Sequence, residues 1–302
     1  MLSNDSGLTA DVIHQVNGRD FFDAIRVKQW IKNLVVPVVG FSMLEAEAEL
    51  QSSILSIVCA FCAFCLAASS IYVFNDMMDI RKDRAHPVKR FRPIASGRIG
   101  ASFLCALLAV SCPSAIFLAY IASPQIMFLL LMYFIINIAY CTRLKHVAQV
   151  DIVCVGSGFT LRALTGAYAV GTQVDFWILA AVTFSCMGLA VMKRMKELQA
   201  LGGSGETRPV LAQYHYETLV RAHDIFMVLA LQSLLMFLHR SSQKFSNQFT
   251  IAVFMTAMSG ALLVFMHRVH SEQDGDPTAL IYRNKSMAAL MLLSLVALFL
   301  FK

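Results

Sequence analysis

Charged residues are scarce in this sequence of 302 residues. They make up 15% of the chain, whereas hydrophobic residues make up 58%, and the mean hydropathy is +0.64. Ordinary soluble domains carry about 25% charged and ~45–50% apolar residues. The composition excludes a disordered chain and a coiled coil, and the apolar excess is larger than a single soluble core can hide. The sequence therefore predicts a membrane protein.

The features of a secreted, disulfide-stabilised protein are also missing. Residues 1–11 are polar and show no charged-then-apolar signal pattern, so we expect no cleaved signal peptide. The eight cysteines lie in or beside apolar runs. Cys59, Cys62 and Cys65 resemble a metal motif in spacing, but no further ligand is near, and we interpret them as small buried residues of a helix. We expect no nucleic-acid partner, and the oligomeric state stays open.

Long apolar runs, which such a composition requires, divide the chain into membrane-spanning segments. A spanning helix needs about 20 mainly apolar residues. This criterion predicts nine spans, at about 30–46, 53–75, 101–121, 125–141, 150–171, 174–192, 223–239, 248–266 and 285–301. We therefore expect one all-α domain over residues 1–302, a polytopic helical bundle, with residues 1–25 as a polar or amphipathic lead-in.

Lysine and arginine are unevenly distributed between the two sides of this predicted bundle. With a cytoplasmic N-terminus, 21 of the 25 fall in inside segments and three fall outside, at Arg240, Lys244 and Lys302. Arg162 lies within a span. Because cytoplasmic loops of membrane proteins are enriched in these residues, the distribution predicts an integral inner-membrane protein with its C-terminus outside.

An acidic segment follows the second predicted span. Asn75, Asp79 and Asp83 are spaced four residues apart, so on a helix they share one face. Hard cations such as Mg²⁺ take oxygen ligands and bind through one or two carboxylates plus substrate phosphates. We predict that these three residues are catalytic and hold Mg²⁺. A solvated helix end paired with nearby cations is the alternative.

Basic residues come directly after the acidic segment. The candidates for substrate binding are Arg84, Lys89, Arg90 and Arg92, in a stretch that also contains Pro87 and Pro93. Arginine binds phosphate through a bidentate fork, and lysine acts as a point charge. A basic loop that sets topology and contacts anionic lipid headgroups is the alternative.

Three further sets of polar residues are predicted to reach the same cytoplasmic mouth. They are Lys28 and Lys32 at the entrance to the first span; Tyr140, Lys145 and Asp151 around the fourth-to-fifth loop, with Arg162 further along span five; and Lys193, Arg194 and Glu197 at the end of span six. An arginine within a span usually faces the bundle interior or a watery cavity, although pairing between helices is the alternative. For Lys193 and Glu197 the alternative is an intrahelical ion pair.

These motifs resemble the UbiA superfamily of intramembrane prenyltransferases. The similarity lies in Asn75-Asp76-x-x-Asp79-x-x-x-Asp83 and extends over most of the chain, through Lys28-Gln29-Trp30-x-Lys32-Asn33, Tyr140-x-x-x-Leu144-Lys145 with Asp151, and Asp276-Pro277 with Arg283-Asn284-Lys285. The resemblance implies a nine-helix bundle with a Mg²⁺-dependent site at its cytoplasmic side and a lateral opening to lipid.

The sequence departs from the aromatic prenyltransferases of that superfamily in one loop. Those proteins carry a second aspartate-rich motif between spans six and seven, whereas residues 193–222 here contain no Asp. The Lys193-Arg194-x-x-Glu197-Leu198 run and the stretch from Asp83 to Ala95 are instead similar to the decaprenyl-phosphate phosphoribosyltransferase branch. That branch uses phosphoribosyl pyrophosphate (PRPP) as donor and a polyprenyl phosphate as acceptor.

The resemblance therefore implies a Mg²⁺-dependent phosphoribosyl transfer to a polyprenyl phosphate, with pyrophosphate as the leaving group. A UbiA-type prenyltransferase that moves a polyprenyl group from its diphosphate to an aromatic or other polar acceptor is the alternative enzyme. A transporter of an anionic solute is the alternative from another class. A transporter needs ionisable groups near the middle of the membrane, whereas here they collect on one side.

Overall fold

The structure, a computed structural model, describes residues 17–44, 50–200 and 209–242 together with four single positions, 256, 259, 260 and 289. Within these ranges every regular element is helical. The α-helices are α1 (Gly18–Ala24), α2 (Val35–Met43), α3 (Leu50–Met78), α4 (Ile80–Ala85), α5 (Ala101–Ala122), α6 (Pro124–Thr142), α7 (Val150–Ala169), α8 (Phe176–Ala200) and α9 (Tyr216–Ser242). Four 3-10 segments connect them, at Val27–Leu34, Lys89–Phe91, Leu144–His146 and Pro209–Gln213.

Six of these helices, α3 and α5 to α9, are long and apolar enough to cross a membrane. They correspond to six of the predicted spans, so the all-α membrane bundle is confirmed. The last two predicted spans, 248–266 and 285–301, lie almost entirely outside the described residues. The number of nine spans therefore stays a prediction.

The first predicted span, 30–46, differs from a single long helix. It consists of the 3-10 segment Val27–Leu34 followed by α2, which has nine residues. At 1.5 Å per residue, α2 rises about 13 Å, well short of a hydrocarbon core of about 30 Å. Polar side chains explain the tighter 3-10 winding of Val27–Leu34. Trp30 donates to Ser69 (2.9 Å) and Asn33 donates to Cys65 (3.2 Å), both on α3.

Helix α3 is the most buried of the six long helices that the structure describes. It packs against α5, α6 and α7, and its buried face consists largely of small side chains such as Ala60, Ala63 and Ala67. Small residues let membrane helices approach closely. The hydroxyls of Ser70 and Ser111 join α3 to α5 at 2.7 Å. The acidic segment at the C-terminal end of α3 contacts Arg26 and Lys145, which come from the segments before α2 and after α6.

Glycine allows α2 to lie directly against α7. A Cβ atom added to Gly166 would collide with the carbonyl oxygen of Val36 and would lie 3.0 Å from the amide nitrogen of Gly40. Because both neighbours are backbone atoms, neither can move aside as a flexible side chain would. This contact places the 3-10 segment that precedes α2 beside the interior of the bundle.

The candidate residues collect at one end of the bundle because successive long helices run in opposite directions. Helices α3, α6 and α8 end there, and α5, α7 and α9 begin there. The loops that join α3 to α5, α6 to α7 and α8 to α9 therefore meet, as the hydrogen bonds between them show directly.

Candidate active site

The acidic segment keeps a helical spacing across the junction between α3 and α4. The amide of Asp79 donates to the carbonyl of Asn75 (2.9 Å), and the amide of Asp83 donates to the carbonyl of Asp79 (2.8 Å). Asp79 itself has φ −95° and ψ 7°, which slightly departs from helical geometry and separates the two helices. The predicted one-turn spacing of Asn75, Asp79 and Asp83 is therefore present in the backbone.

One side-chain cluster joins Asn75 and Asp79 to Lys145. The Lys145 ammonium lies 2.7 Å from Oδ2 of Asp79 and 3.4 Å from Oδ1 of Asn75. Lys145 comes from the 3-10 segment Leu144–His146 at the start of the α6–α7 loop, and its side chain is 13% exposed. The side-chain oxygens of Asn75 and Asp79 thus converge on one positive charge, and we call these three residues the Lys145 cluster.

A second cluster contains Asp76 and Asp83 with two arginines. Arg26 Nη2 lies 2.6 and 2.8 Å from the two carboxylate oxygens of Asp76. Arg92 Nη1 bridges Asp76 (3.3 Å) and Asp83 (2.8 Å). Both carboxylates are buried, so each requires a partner of opposite charge. Asp83 was predicted to act with Asn75 and Asp79, but its contact to Arg92 places it in this neighbouring cluster.

The basic stretch after α4 is folded on itself. Arg84 Nε donates to the carbonyl of Ala95 (2.9 Å), while Pro93, Ile94 and Ala95 are buried. Arg90 is exposed and lies over the ring of Phe91 at 4.8 Å. A cavity of about 340 Å³ between this stretch and α1 is lined by Arg26, Arg92, Arg98 and Asp76, among others. Two of the predicted phosphate-binding residues thus already have partners within the protein. Arg92 is paired with carboxylates, and Arg84 donates to a backbone carbonyl.

A third cluster joins the start of α7 to the end of α8. Arg194 Nε donates to Asp151 Oδ2 (2.7 Å), and Arg194 Nη1 donates to Glu197 Oε2 (2.9 Å). The side chain of Asp151 is completely buried and that of Arg194 is 5% exposed. The three residues were each predicted to bind substrate. The structure brings them together as a buried ion-pair network.

Tyr214, which sequence reasoning missed, completes this third cluster. Its hydroxyl donates to Asp151 Oδ1 (2.6 Å) and accepts from the amide of Gln149 (2.6 Å). Burial, followed by the hydrogen bond to Asp151, raises the pKa of the Tyr214 phenol above its ordinary value, so the hydroxyl stays a donor at neutral pH. No pattern around position 214 marks this tyrosine, because its partners are more than 60 residues away in sequence.

Arg162 lies deeper in the bundle than the three clusters. It is 6% exposed and donates to Asn33 Oδ1 (2.7 Å), the carbonyl of Gly158 (2.9 Å) and the hydroxyl of Tyr133 (3.1 Å). Its guanidinium also lies 4.8 Å from the centre of the Tyr133 ring. Among the residues that the structure describes, no carboxylate forms an ion pair with it. These contacts join the segment before α2 to α6 and α7, as the helix-pairing alternative predicts.

The remaining candidates differ in their exposure. Lys28, Lys32 and Lys193 are exposed, and Lys89 is partly buried. Tyr140 is partly buried near the end of α6, close enough to Arg194 for an electrostatic interaction.

The Lys145 cluster has the chemistry of a magnesium site. Asn75 and Asp79 offer hard oxygen ligands, and the ammonium between them shows that these oxygens can face a single cation. Over the described ranges, no three His, Cys, Asp or Glu side chains converge as a ligand set. An ion held here would take its other ligands from substrate phosphates and water, which is the usual mode of Mg²⁺ binding.

Known proteins are similar to this chain in sequence or in fold. The decaprenyl-phosphate phosphoribosyltransferases of Mycolicibacterium smegmatis and Corynebacterium glutamicum are 36% and 34% identical to it, over 60% and 58% of this chain. The matches span 58% and 53% of those relatives' own lengths. A UbiA homolog from Archaeoglobus fulgidus bound to GPP and Mg²⁺ superimposes with a TM-score of 0.70, covering 92% of this chain and 96% of that one. At 16% identity this likeness shows the shared fold alone. The model of the UbiA prenyltransferase family matches residues 34–295, and the chain therefore belongs to that family.

Proposed function

We propose that this membrane protein transfers the 5-phosphoribosyl group of PRPP to a polyprenyl phosphate at the cytoplasmic side of the membrane. An oxygen of the acceptor phosphate forms a bond to C1 of the ribose, and the bond from C1 to the pyrophosphate oxygen breaks. Pyrophosphate leaves with the electron pair of that bond. The acceptor is already an anion, so the reaction needs little help from a general base.

The observation that carries this proposal is the convergence of Asn75, Asp79 and Lys145 on one point at the loop end of the bundle. Asn75 and Asp79 would hold Mg²⁺, which neutralises the diphosphate when it is bound. Lys145 would then exchange its carboxylate partner for a diphosphate oxygen. The relatives named decaprenyl-phosphate phosphoribosyltransferase support PRPP as the donor and a polyprenyl phosphate as the acceptor.

Positioning and electrostatics account for the catalysis in this mechanism. The anomeric carbon gains positive charge as the leaving group departs, while negative charge accumulates on the pyrophosphate. A cation held against that charge in a water-poor site lowers the barrier without any proton transfer. The second cluster keeps Arg26 and Arg92 beside the acidic segment, where they would reach a donor phosphate by exchanging their carboxylate partners. The exposed Lys28, Lys32 and Lys193 would attract the anionic substrates.

Prenyl transfer from a prenyl diphosphate is the second candidate. The family is named for it, and the archaeal homolog with the same fold was solved with GPP and Mg²⁺. The same Lys145 cluster would serve, with the lipid as donor instead of acceptor. Family membership gives no support to the transporter alternative.

A donor test separates the two reactions. Membranes that contain the protein are incubated with Mg²⁺ and either labelled PRPP plus polyprenyl phosphate or labelled prenyl diphosphate plus an aromatic acceptor. We expect label from PRPP in a new lipid, and none when Asp79→Asn replaces the wild type. Label transferred only from prenyl diphosphate would refute phosphoribosyl transfer and support the second candidate.

A further inference from the structure

We propose that Gln213 and Tyr214 are positioning residues that hold Lys145 against Asn75 and Asp79. They belong to residues 209–214, which we call the connector strap because this segment lies between α8 and α9 and contacts the α6–α7 loop. The inference rests on the proposed function in one respect, the role of Lys145 at the donor diphosphate.

The strap binds the α6–α7 loop through three hydrogen bonds and the first turn of α7 through a fourth. The Gln213 side chain accepts from the amide of Ala148 (3.4 Å) and donates to the carbonyl of His146 (3.3 Å). The Tyr214 hydroxyl accepts from the amide of Gln149 and donates to Asp151, both at 2.6 Å. These contacts cover the residues directly after Lys145, up to the first turn of α7.

The loop needs external contacts because its own backbone is strained. Gln149 has φ 69° and ψ −42°, a left-handed conformation that is uncommon for a residue other than glycine. Such residues persist when surrounding contacts over-determine their conformation. The amide of Gln149 is the group that Tyr214 binds. Removal of this hydrogen bond would let the loop relax towards an ordinary conformation.

Relaxation of the loop would move Lys145 away from the acidic segment. The contact to Asp79 is 2.7 Å long, and Lys145 is only four residues before Gln149. A misplacement of about 1 Å at a reacting group can lower the rate on the order of 100-fold. Gln213 contacts only the backbone of the loop, whereas Tyr214 also contacts Asp151. A shared effect of both residues would therefore act through the loop rather than through Asp151.

The first test reads the position of Lys145 without any substrate. The purified full-length protein is treated briefly with an amine-reactive reagent, and the modification of Lys145 is measured by mass spectrometry relative to Lys82, an exposed residue of α4. We expect Tyr214→Phe and Gln213→Met to raise the labelling rate of Lys145 several-fold.

The matched control in this labelling test is Tyr216→Phe. It removes an equivalent hydroxyl two residues away, which accepts instead from Gln199 at 2.7 Å. It should leave the labelling of Lys145 unchanged. Unchanged labelling in both strap variants would overturn the proposal, as would an equal increase in the control.

The second test is kinetic and uses whichever donor the wild type accepts. Tyr214→Phe should raise the KM of the donor on the order of tenfold, with the KM of the acceptor unchanged, since Lys145 meets only the donor diphosphate. A general loosening of the fold would instead affect both substrates. If the wild type ignores PRPP but uses prenyl diphosphate, the proposed function fails. The strap proposal is tested separately, and it fails if the Lys145 labelling or the donor KM stays at its wild-type value.

Discussion

Replacement of Arg194 distinguishes a structural ion pair from a direct phosphate contact. Sequence reasoning placed Arg194 among the substrate-binding residues. In the structure its guanidinium is divided between Asp151 and Glu197, and the side chain is 5% exposed. We therefore expect Arg194→Ala to act first on stability, because it leaves the fully buried carboxylate of Asp151 without its cation.

The expected size of this effect follows from the burial of both partners. Removal of one member of a buried ion pair costs about 3–5 kcal/mol, since the other charge stays buried and uncompensated. The hydrogen bond from Tyr214 remains and offsets part of this cost. Glu197 is 27% exposed and regains water, so its loss of a partner adds little. The free energy of unfolding should thus fall by about 2–4 kcal/mol.

The assay is thermal unfolding of the detergent-solubilised protein, followed by the loss of the monodisperse peak in size-exclusion chromatography. Arg194→Ala should lower the Tm by several degrees, and Lys193→Ala, on the exposed neighbouring position, should leave it nearly unchanged. Addition of Asp151→Asn to Arg194→Ala should restore part of the loss by removing the unpaired charge. An Arg194→Ala protein with a wild-type Tm and a raised donor KM would refute this reasoning and support direct phosphate binding.

Three further predictions concern the metal ligand, the tyrosine and the topology. Asp79→Asn should reduce Mg²⁺-dependent turnover by at least 100-fold with little change in Tm, because Asp79 is partly exposed at a helix end; near-normal turnover would exclude it as a metal ligand. The pKa of Tyr214 is raised in the folded protein, so this tyrosine stays protonated above pH 10, whereas it ionises there in the unfolded chain. The wild type should therefore lose stability relative to Tyr214→Phe as the pH rises from 10 to 11. A constant difference in Tm between the two proteins would contradict this. Single cysteines in a cysteine-free background should react from the cytoplasmic side at position 90 and from the outer side at position 244, and the reverse pattern would refute the topology.

The acidic segment was predictable because it depends on local geometry. A spacing of four residues puts Asn75 and Asp79 on one helix face whatever the rest of the chain does, and both reach Lys145. The partner of Asp83 was not predictable in the same way. Asp83 lies about two helical turns after both Asn75 and Asp76. The spacing alone therefore allows it to share a helix face with either residue. Only the path of the basic loop, which brings Arg92 to Asp76 and Asp83, decides between them.

The long helices were predictable and the first span was not, for a physical reason. Continuous apolar runs have few alternatives to a spanning helix, because backbone groups in lipid must be satisfied within the segment. Residues 27–34 mix apolar residues with Lys, Gln and Asn, and their polar groups find partners on α3 and α7. These partners are distant in sequence. Tyr214 was missed for the same reason, since no pattern near it in the sequence indicates its contact to Asp151.

The Lys145 cluster has a consequence for how the site responds to ionic strength. In the free protein Asp79 is already paired with Lys145. Binding of a magnesium–diphosphate complex would therefore exchange one partner of Asp79 for another and would not add charge to an unpaired acidic group. Lys145 turns from a carboxylate to a phosphate, and its charge is compensated both before and after. Such an exchange hardly changes the number of mobile ions around the protein. The contribution of Lys145 to donor affinity should therefore depend only weakly on added salt, whereas the attraction by the exposed Lys28, Lys32 and Lys193 should weaken as salt is added.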